Sequence, residues 1–484
     1  MVYIALIVEI DNTNLATTNG LWKTPAVRSW ELGTGRPIDI GGLFYMPAYG
    51  WLCRLIPNEA VSYGDHGEVV TFRKMAILNA LFGALASGVV FLLALRFVPS
   101  AGLAFVVSVA HLSSGFVLLN SINSEDVIPA YAFFTIATAL FFEYVFTRKL
   151  YLLAGCALFL ALTVLFHWTL MIPCAAALGA AQLNLVLKRK HPAWLLAVFP
   201  LLFLTLIEVV ALYGHFQNPS FWGWSPLPIL YPAKAGPSGW LGFQWNKVVY
   251  ASVGIGNYFS GVQNVVRYRE YFNSPEMRMT LSVSWIYLAV TFGACVWASF
   301  SRRTAIEVKI FARYGLVLFL IGELEHLYSQ PQDPQSQIQP MFIGVFGLII
   351  LMREARTKLA GLRLRLAISA LLLVFALNGA WNLKLMWPNR GQDSESIRAV
   401  RKLEELFPPG NTIIVSHGFE GWNTWWFVEV FDGSRADYLS KTIHLASAFI
   451  SHPGISAQEA ASLTKRQIDE ALAAGYREIG RAHV

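Results

Sequence analysis

The sequence predicts an all-α, polytopic membrane protein of about eleven transmembrane helices that carries a small C-terminal α/β domain. Three observations predict this fold class. Of the 484 residues, 55% are hydrophobic and 14% are charged, whereas a soluble domain carries about 25% charged residues. Apolar runs long enough to cross a bilayer recur along the chain, and basic residues collect in alternate loops between them. This composition excludes a soluble globular enzyme and a disordered chain.

The apolar runs define the expected transmembrane helices. A helix needs about 20 apolar residues to cross the bilayer, and such runs fall near residues 77–97, 102–120, 127–147, 150–166, 168–187, 193–213, 279–300, 310–327, 341–352 and 364–385. A further run, Met1–Val8, is too short to span and lacks the charged region and cleavage site of a signal peptide. We expect it to be the end of a first helix whose beginning is missing.

The charges of the loops predict the orientation in the plasma (inner) membrane. By the positive-inside rule the basic loops are cytoplasmic; their residues are Arg96, Arg148, Lys149, Lys188, Arg189, Lys190, Arg302, Arg303, Lys309, Arg353, Arg356, Lys358, Arg363 and Arg365. The opposite side receives two long loops, 9–76 and 214–278, and everything after Lys384. The N-terminus is then cytoplasmic and the C-terminal domain extracytoplasmic. The net charge of +7 is explained by these loops, so no nucleic-acid partner is predicted.

The chain divides into two domains on this interpretation. Residues 1–385 form the transmembrane domain, and residues 386–477 form a small extracytoplasmic α/β domain. Within the latter, Thr412–Ser416 has the composition of a strand. The pattern from Ser456 to Glu459 is a capping box that opens a helix, and Gly475 closes it.

The last seven residues, 478–484, are predicted to be foreign to the protein. One choice of codons for them spells the start of a common sequencing adapter, followed in frame by a stop. We therefore expect that the gene continues, that Tyr476 begins a further strand, and that the α/β domain is truncated.

Two carboxylates, Glu9 and Asp11, follow the first apolar run at the outer edge of the membrane. They are the candidate catalytic residues, because a carboxylate in reach of a hydroxyl can act as a general base. Asp11 is favoured, since it begins the long loop and polar residues follow it. The alternative is a helix end that meets water.

Further polar residues of the outer loops are candidates for substrate binding. Acids beside the turn at residue 125 and a Gln-rich loop after residue 328 offer donors and acceptors that suit sugar hydroxyls. The residues are Glu125, Asp126, Glu323, Glu325, His326, Gln332 and Asp333. The alternatives are an N-cap on the helix that begins at Val127 and a plain polar turn after residue 328.

Several cations lie on the outer side against the charge bias. They are Lys23, Arg28, Arg36, Arg54, Arg73 and Lys74 of the first long loop, and Lys247, Arg267, Arg269 and Arg278 of the second. They are candidates for binding a donor phosphate, because guanidinium groups form bidentate, charge-assisted bonds with phosphate. The alternative is pairing with lipid headgroups. The four cysteines include no CxxC pair and are predicted to be buried apolar residues.

Several segments together resemble the GT-C superfamily of polytopic glycosyltransferases, in the group of protein O-mannosyltransferase-like and lipopolysaccharide-core-modifying members. They are the acids Glu9 and Asp11, the amphipathic loop segment Gly41–Tyr49, the entry to the second span at Thr71–Leu85, and the turns Asn120–Asp126 and Leu165–Leu170. The resemblance covers roughly residues 1–385. This chain departs from the family in its nearly absent first helix and in Ile10, which separates the two acids.

The resemblance implies a reaction and its partners. A sugar would pass from a polyprenyl-phosphate donor to an acceptor hydroxyl of a glycan, lipid or protein on the extracytoplasmic face, and Asp11 or Glu9 would activate that hydroxyl. Some members add a divalent cation; no cofactor is certain here, and a metal site is left open. Two other functions also stay open: a transporter or flippase of a lipid-linked or small polar substrate, and a non-catalytic scaffold.

Overall fold

A computed structural model describes most of the transmembrane helices and the elements of the C-terminal domain. The described residues are 18–34, 44–61, 68–124, 126–167, parts of 178–186, 205, 245–256, 258–261, 274–328, 338–387, 412–416, 442–444, 457–475 and 477–479. Outside this set lie all of the predicted span 193–213 except residue 205, most of the predicted span 168–187, and Met1–Val8.

Helices make up the transmembrane domain. In chain order they are α1 (Thr18–Glu31), α2 (Tyr45–Cys53), α3 (Glu68–Phe97), α4 (Ala101–Leu112), α5 (Gly115–Ile122), α6 (Val127–Thr147), α7 (Leu150–Phe166), α8 (Trp245–Gly256), α9 (Pro275–Phe300), α10 (Ile306–Tyr328), α11 (Ile338–Lys358) and α12 (Gly361–Met386), with a 3-10 turn at Asn58–Ala60.

Several of these helices are built to cross a membrane. In the described part of the chain, α3, α6, α9 and α12 are long and apolar enough to do so, and α7 is a shorter apolar helix. The predicted single span at 102–120 is instead a pair, α4 and α5, bent by 62° at a short break. The chain is a multi-pass membrane protein, as predicted.

Contacts between helix termini define two ends of the bundle. Arg96 near the end of α3 pairs with Glu143 near the end of α6 at 3.1 Å. Phe97 of α3 also packs on Phe311 in the first turns of α10. We call this the basic end, because the basic loops predicted to be cytoplasmic begin here. The opposite end holds the end of α5 and the start of α6.

Close packing of apolar side chains holds the bundle together. Inside a membrane, helix association depends on van der Waals contact and on small residues that let backbones approach. Phe311 packs edge-on to Phe142 of α6 and Phe346 of α11, with ring centroids 4.9 and 4.3 Å away. At Gly347 of α11, an added Cβ would lie 2.1 Å from the carbonyl oxygen of Thr291. Therefore α9 and α11 meet at a spacing that only glycine permits.

The C-terminal elements form a small parallel sheet with a helix. Strands β1 (Thr412–Ser416), β2 (Thr442–His444) and β3 (Arg477–Ile479) lie in the order β2-β1-β3, and β1 is parallel to both neighbours. Helix α13 (Ala457–Ala473) contacts β2 and β3, as a crossover between parallel strands does. It is followed by Gly475 at φ +90°. The strand predicted at Thr412–Ser416 and the helix predicted to open after Ser456 are present among the described residues.

Candidate functional site

The ends of α6 and α7 bring a carboxylate and an imidazole together inside the bundle. Asp126 immediately precedes α6, and His167 immediately follows α7, its antiparallel neighbour. Asp126 Oδ2 lies 3.5 Å from His167 Nδ1, and the exposed fractions of the two side chains are 0% and 10%. Asp126 stands at the N-cap position but makes no capping hydrogen bond through its side chain. Its carboxylate therefore faces His167 instead of satisfying the helix end.

Helix α2 fixes the backbone of the turn that carries Asp126. The hydroxyl of Tyr45 donates to the carbonyl oxygen of Ser124 at 2.8 Å. The hydroxyl of Tyr49 donates to Asn79 Oδ1 at 2.5 Å, and Asn79 Nδ2 donates to the carbonyl oxygen of Asn123 at 2.7 Å. All of these side chains are buried. Two hydrogen bonds from neutral side chains thus hold the backbone of the turn, so the Asp126 carboxylate is not needed to hold it.

The electrostatics of α2 reflect its burial near this carboxylate. Burial raises the pKa of Tyr49, and the nearby Cys53 and Asp126 raise it further. An elevated pKa keeps the phenol protonated, so it acts as the donor in its bond to Asn79. Tyr49 is therefore a fixed neutral donor next to the acid.

A second pair of charges joins α1, α2 and α3. Lys74 Nζ lies 2.5 Å from Glu31 Oε1, with side chains 3% and 12% exposed. The Thr71 hydroxyl donates to Glu31 Oε2 at 2.7 Å, and Lys74 Nζ also donates to the carbonyl oxygen of Cys53 at 3.1 Å. Both charges are therefore compensated within the protein. This pair holds α2 against the start of α3. It thereby supports the helix whose Tyr45 bonds to the Asp126 turn.

Several buried polar atoms beside Asp126 make no hydrogen bond within the described part of the chain. They include Asn120 Oδ1, Ser121 Oγ, Ser124 Oγ and His167 Nδ1. A polar group buried without a partner costs free energy, so such atoms are commonly completed by water, a ligand or a further segment. Hydroxyl-rich ligands supply suitable partners for them.

The predicted site residues fall into three groups. Asp126 and Glu323 are described and lie in the bundle, whereas Arg278 is described and its side chain is exposed on the first turn of α9. Three more lie on described helices, but their side chains lie outside the description: Lys247, Glu325 and His326. Outside the described residues altogether are Glu9, Asp11, Glu125, Arg267, Arg269, Gln332 and Asp333.

The sequence interpretation did not assign a role to His167 or Glu31, and it included Lys74 only among the cations of the outer side. A local signal existed for each, because His167 follows an apolar run and the other two are charges in or next to an outer loop. The pairing itself has no local signal: 41 residues separate Asp126 from His167, and 43 separate Lys74 from Glu31.

Chemically, this arrangement can bind a polar ligand, orient it and exchange a proton with it. The carboxylate of Asp126 lies 3.5 Å from the imidazole of His167, so an acid and a potential proton carrier stand side by side. Within the described residues, no group of three or more His, Cys, Asp or Glu side chains is placed to hold a metal ion.

The helical architecture defines the class: the chain has the GT-C fold of polytopic membrane proteins. It is similar to the crystal structure of ArnT from Cupriavidus metallidurans bound to undecaprenyl phosphate, with a TM-score of 0.56 and 10% identity over 97% of this chain and 88% of that one. The apo structure of the same protein matches with a TM-score of 0.47 and 12% identity, at the same coverage. No family model and no curated protein sequence matches the chain. The fold that the resemblance implied is confirmed.

Proposed function

We propose that the protein is a membrane glycosyltransferase that moves a sugar from a polyprenyl-phosphate donor to an acceptor hydroxyl on the extracytoplasmic face. The observation that carries the proposal is the buried Asp126–His167 pair at the end of the bundle opposite the basic loops. A carboxylate with 0% exposure in a membrane protein is costly and marks a functional site. The similar fold of ArnT, solved with undecaprenyl phosphate bound, supports a polyprenyl phosphate as the lipid.

In the proposed reaction the acceptor oxygen loses its proton to Asp11, with Glu9 as the second candidate, while that oxygen bonds to the anomeric carbon. The bond between this carbon and the phosphate oxygen breaks, and the phosphate leaves with the electron pair. Fixed cations stabilise the developing negative charge; the candidates are Arg267, Arg269, Lys247 and Arg278. Asp126 and the other polar residues of the outer turns bind the sugar or the acceptor.

The geometry of the Asp126 turn suits the binding role. A sugar presents several hydroxyls, each both donor and acceptor. The turn offers a carboxylate and two serine hydroxyls, and the neighbouring His167 adds an imidazole. Hydrogen bonds to a carboxylate are the stronger, charge-assisted type. The fixed backbone around Asp126 limits the freedom lost when a ligand binds.

A transporter or flippase is the second candidate, and one observation favours it. The α4–α5 pair is broken and bent by 62°, and discontinuous helices are typical of transporter binding sites. A flippase would move a lipid-linked sugar across the membrane and leave the sugar–phosphate bond intact.

Purified protein in proteoliposomes, supplied with an undecaprenyl-phosphate-linked sugar, tests both candidates. Release of undecaprenyl phosphate that requires an acceptor supports the transferase, and we expect Asp11→Asn to abolish it while the protein remains inserted and folded. A suitable control is Glu143→Gln, because Glu143 lies at the basic end. Translocation of intact donor without release would instead support the flippase, and full activity of Asp11→Asn would remove Asp11 from the role of base.

A further inference from the structure

Two asparagines of α12 hold the break between α4 and α5. Asn378 and Asn382 are four residues apart and therefore share one face of the helix. Their exposed fractions are 9% and 0%. Each side-chain amide donates to the same two carbonyl oxygens: that of Ser113, at 3.1 and 2.9 Å, and that of Phe259, at 3.0 and 3.1 Å.

The same amides also accept hydrogen bonds from the segment 258–261. The Gly261 N–H donates to Asn382 Oδ1 at 2.8 Å, and the Ser260 hydroxyl donates to Asn378 Oδ1. The oxygen and the nitrogen of both amides are thus engaged. An amide in a membrane interior needs such partners, because lipid offers none.

The segment 258–261 in turn accepts hydrogen bonds from the N–H groups at the start of α5. The N–H groups of Gly115 and Phe116 donate to the carbonyl oxygens of Phe259 and Tyr258 at 2.9 and 3.1 Å. These are among the N–H groups that a helix N-terminus leaves without intrahelical partners. Three chain segments, namely the 113–116 break, residues 258–261 and α12, therefore form one hydrogen-bonded junction, which we call the amide clamp.

The amide clamp lies one short helix away from the proposed site. Helix α5 runs from Gly115 to Ile122, and Asn123 and Asp126 follow within four residues. Eight helical residues extend about 12 Å as a stiff rod. A shift at the start of α5 is therefore passed on to the Asp126 turn. In the sequence, residues 258–261 lead on to Arg267 and Arg269, the proposed phosphate-binding cations.

We infer that Asn378 and Asn382 are positioning residues, which set the place of α5 and thereby of Asp126 for substrate binding. The inference rests on the proposed function for the part played by Asp126, whereas the amide clamp itself is independent of it. Neither asparagine is expected to touch the reacting atoms. Their effect is exerted through the carbonyl groups of Ser113 and Phe259.

The test compares Asn378→Leu, Asn382→Leu and the control Leu377→Ala, whose side chain on the same helix is 61% exposed. Leucine is close to asparagine in size and compatible with lipid, but it cannot donate a hydrogen bond. Asn378→Leu is the milder change, because Asn382 still donates to both carbonyl oxygens. If Asn382→Leu fails to fold, Asn378→Leu alone decides the test.

Hydrogen exchange of the full-length protein is the first measurement. We expect faster exchange at Gly115, Phe116 and Gly261 in both asparagine variants, with the exchange of α6 unchanged, and no change in Leu377→Ala. Unchanged exchange at these three amides would overturn the amide clamp. This measurement needs no substrate, so it decides the matter even if the wild-type protein transfers no sugar and the proposed function fails.

Kinetics are the second measurement, with an undecaprenyl-phosphate-linked sugar as donor and rates normalised to folded protein. We expect kcat/KM to fall about 10- to 100-fold, the size that a displacement of about 1 Å produces, with little change in Tm for Asn378→Leu. Faster local exchange with unchanged kcat/KM would make the amide clamp purely structural and overturn the positioning role.

Discussion

Asp126 Oδ2 and His167 Nδ1 lie 3.5 Å apart, with the carboxylate fully sealed and the imidazole partly open. The side chain of His167 is 10% exposed and that of Asp126 is fully buried, so the imidazole is the more accessible member of the pair. The hydrogen bonds of Tyr45 and Asn79 to the backbone at residues 123–124 fix the acid in place. A ligand that reaches this turn therefore meets an imidazole beside a carboxylate whose backbone is held in place.

Replacing the acid tests whether this charge matters. We expect Asp126→Asn to lower the kcat/KM of sugar transfer by about 100-fold, since one charge-assisted hydrogen bond to a substrate contributes on the order of 2–3 kcal/mol. Asparagine keeps the shape, so circular dichroism and Tm should change little. The matched control is Glu143→Gln on the same helix, because its ion pair with Arg96 is 41% exposed on both sides and lies at the basic end.

The partner substitution separates orientation from charge. His167→Gln preserves a donor but cannot carry a proton, and it should lower transfer to a similar degree as Asp126→Asn. If the two residues act as a unit, the double variant will be little worse than either single one. Losses that simply add in the double variant would show that the pair does not act together.

The Lys74–Glu31 pair is expected to govern stability. Lys74→Met leaves the Glu31 carboxylate, 12% exposed, without its cation, and breaking a buried pair in this way costs about 3–5 kcal/mol. Thermal unfolding in detergent, measured by tryptophan fluorescence, should show a clear fall in Tm. Lys465→Met removes a lysine from an exposed pair with Asp469 and should change stability by less than about 0.5 kcal/mol. Equal Tm values for the two variants would show that burial of the Glu31 pair is energetically unimportant.

The sequence allowed the helical spans to be predicted well where hydropathy alone determines them. Helices α6 and α7 occupy the predicted ranges 127–147 and 150–166, because lipid admits little besides continuous apolar helix. The break inside 102–120 was not predicted. Ser113 and Ser114 do not interrupt an apolar run by composition, and the partners that make the break tolerable, Asn378 and Asn382, come more than 260 residues later.

The candidate site was predictable only in part, for a related reason. Asp126 was identified because an acid next to an apolar run is conspicuous by itself. Its partner His167 was not assigned a role, since the contact follows from the antiparallel packing of α6 on α7 and has no local pattern. The predicted roles of Asp11, Glu9 and the outer-loop arginines stay predictions, because these residues lie outside the described part of the chain.

Gly115 should be irreplaceable, because the amide clamp leaves no space for a side chain. An added Cβ would lie 1.7 Å from the carbonyl oxygen of Gly261 and 2.8 Å from its carbonyl carbon, and backbone atoms cannot rotate away. We expect Gly115→Ala to lower Tm and to accelerate exchange at residues 115–116. Gly88→Ala is the control: nothing lies within 4 Å of its Cβ, and alanine in a helix interior gains up to about 1 kcal/mol over glycine. A Gly115→Ala protein as stable as Gly88→Ala would contradict this packing.

Cys53 should react only slowly with thiol reagents in the folded protein. Burial raises the pKa of its thiol, the carboxylate of Glu31 adds to the rise, and Lys74 opposes it. Because the thiolate is the reactive form, N-ethylmaleimide at pH 8 should label Cys53 slowly in native membranes and rapidly after unfolding in detergent. The labelled protein keeps Cys53 alone, with alanine at the other three cysteines, and the control places a cysteine instead at Leu55, two residues away and 77% exposed. Equal labelling rates at positions 53 and 55 in native membranes would show that α2 does not bury this thiol.

The raised pKa of Cys53 also means that the folded state holds the thiol proton more tightly than the unfolded state. The free energy of unfolding should therefore fall as the pH rises above about 8.5, the ordinary pKa of a thiol, and this fall should shrink in Cys53→Ala.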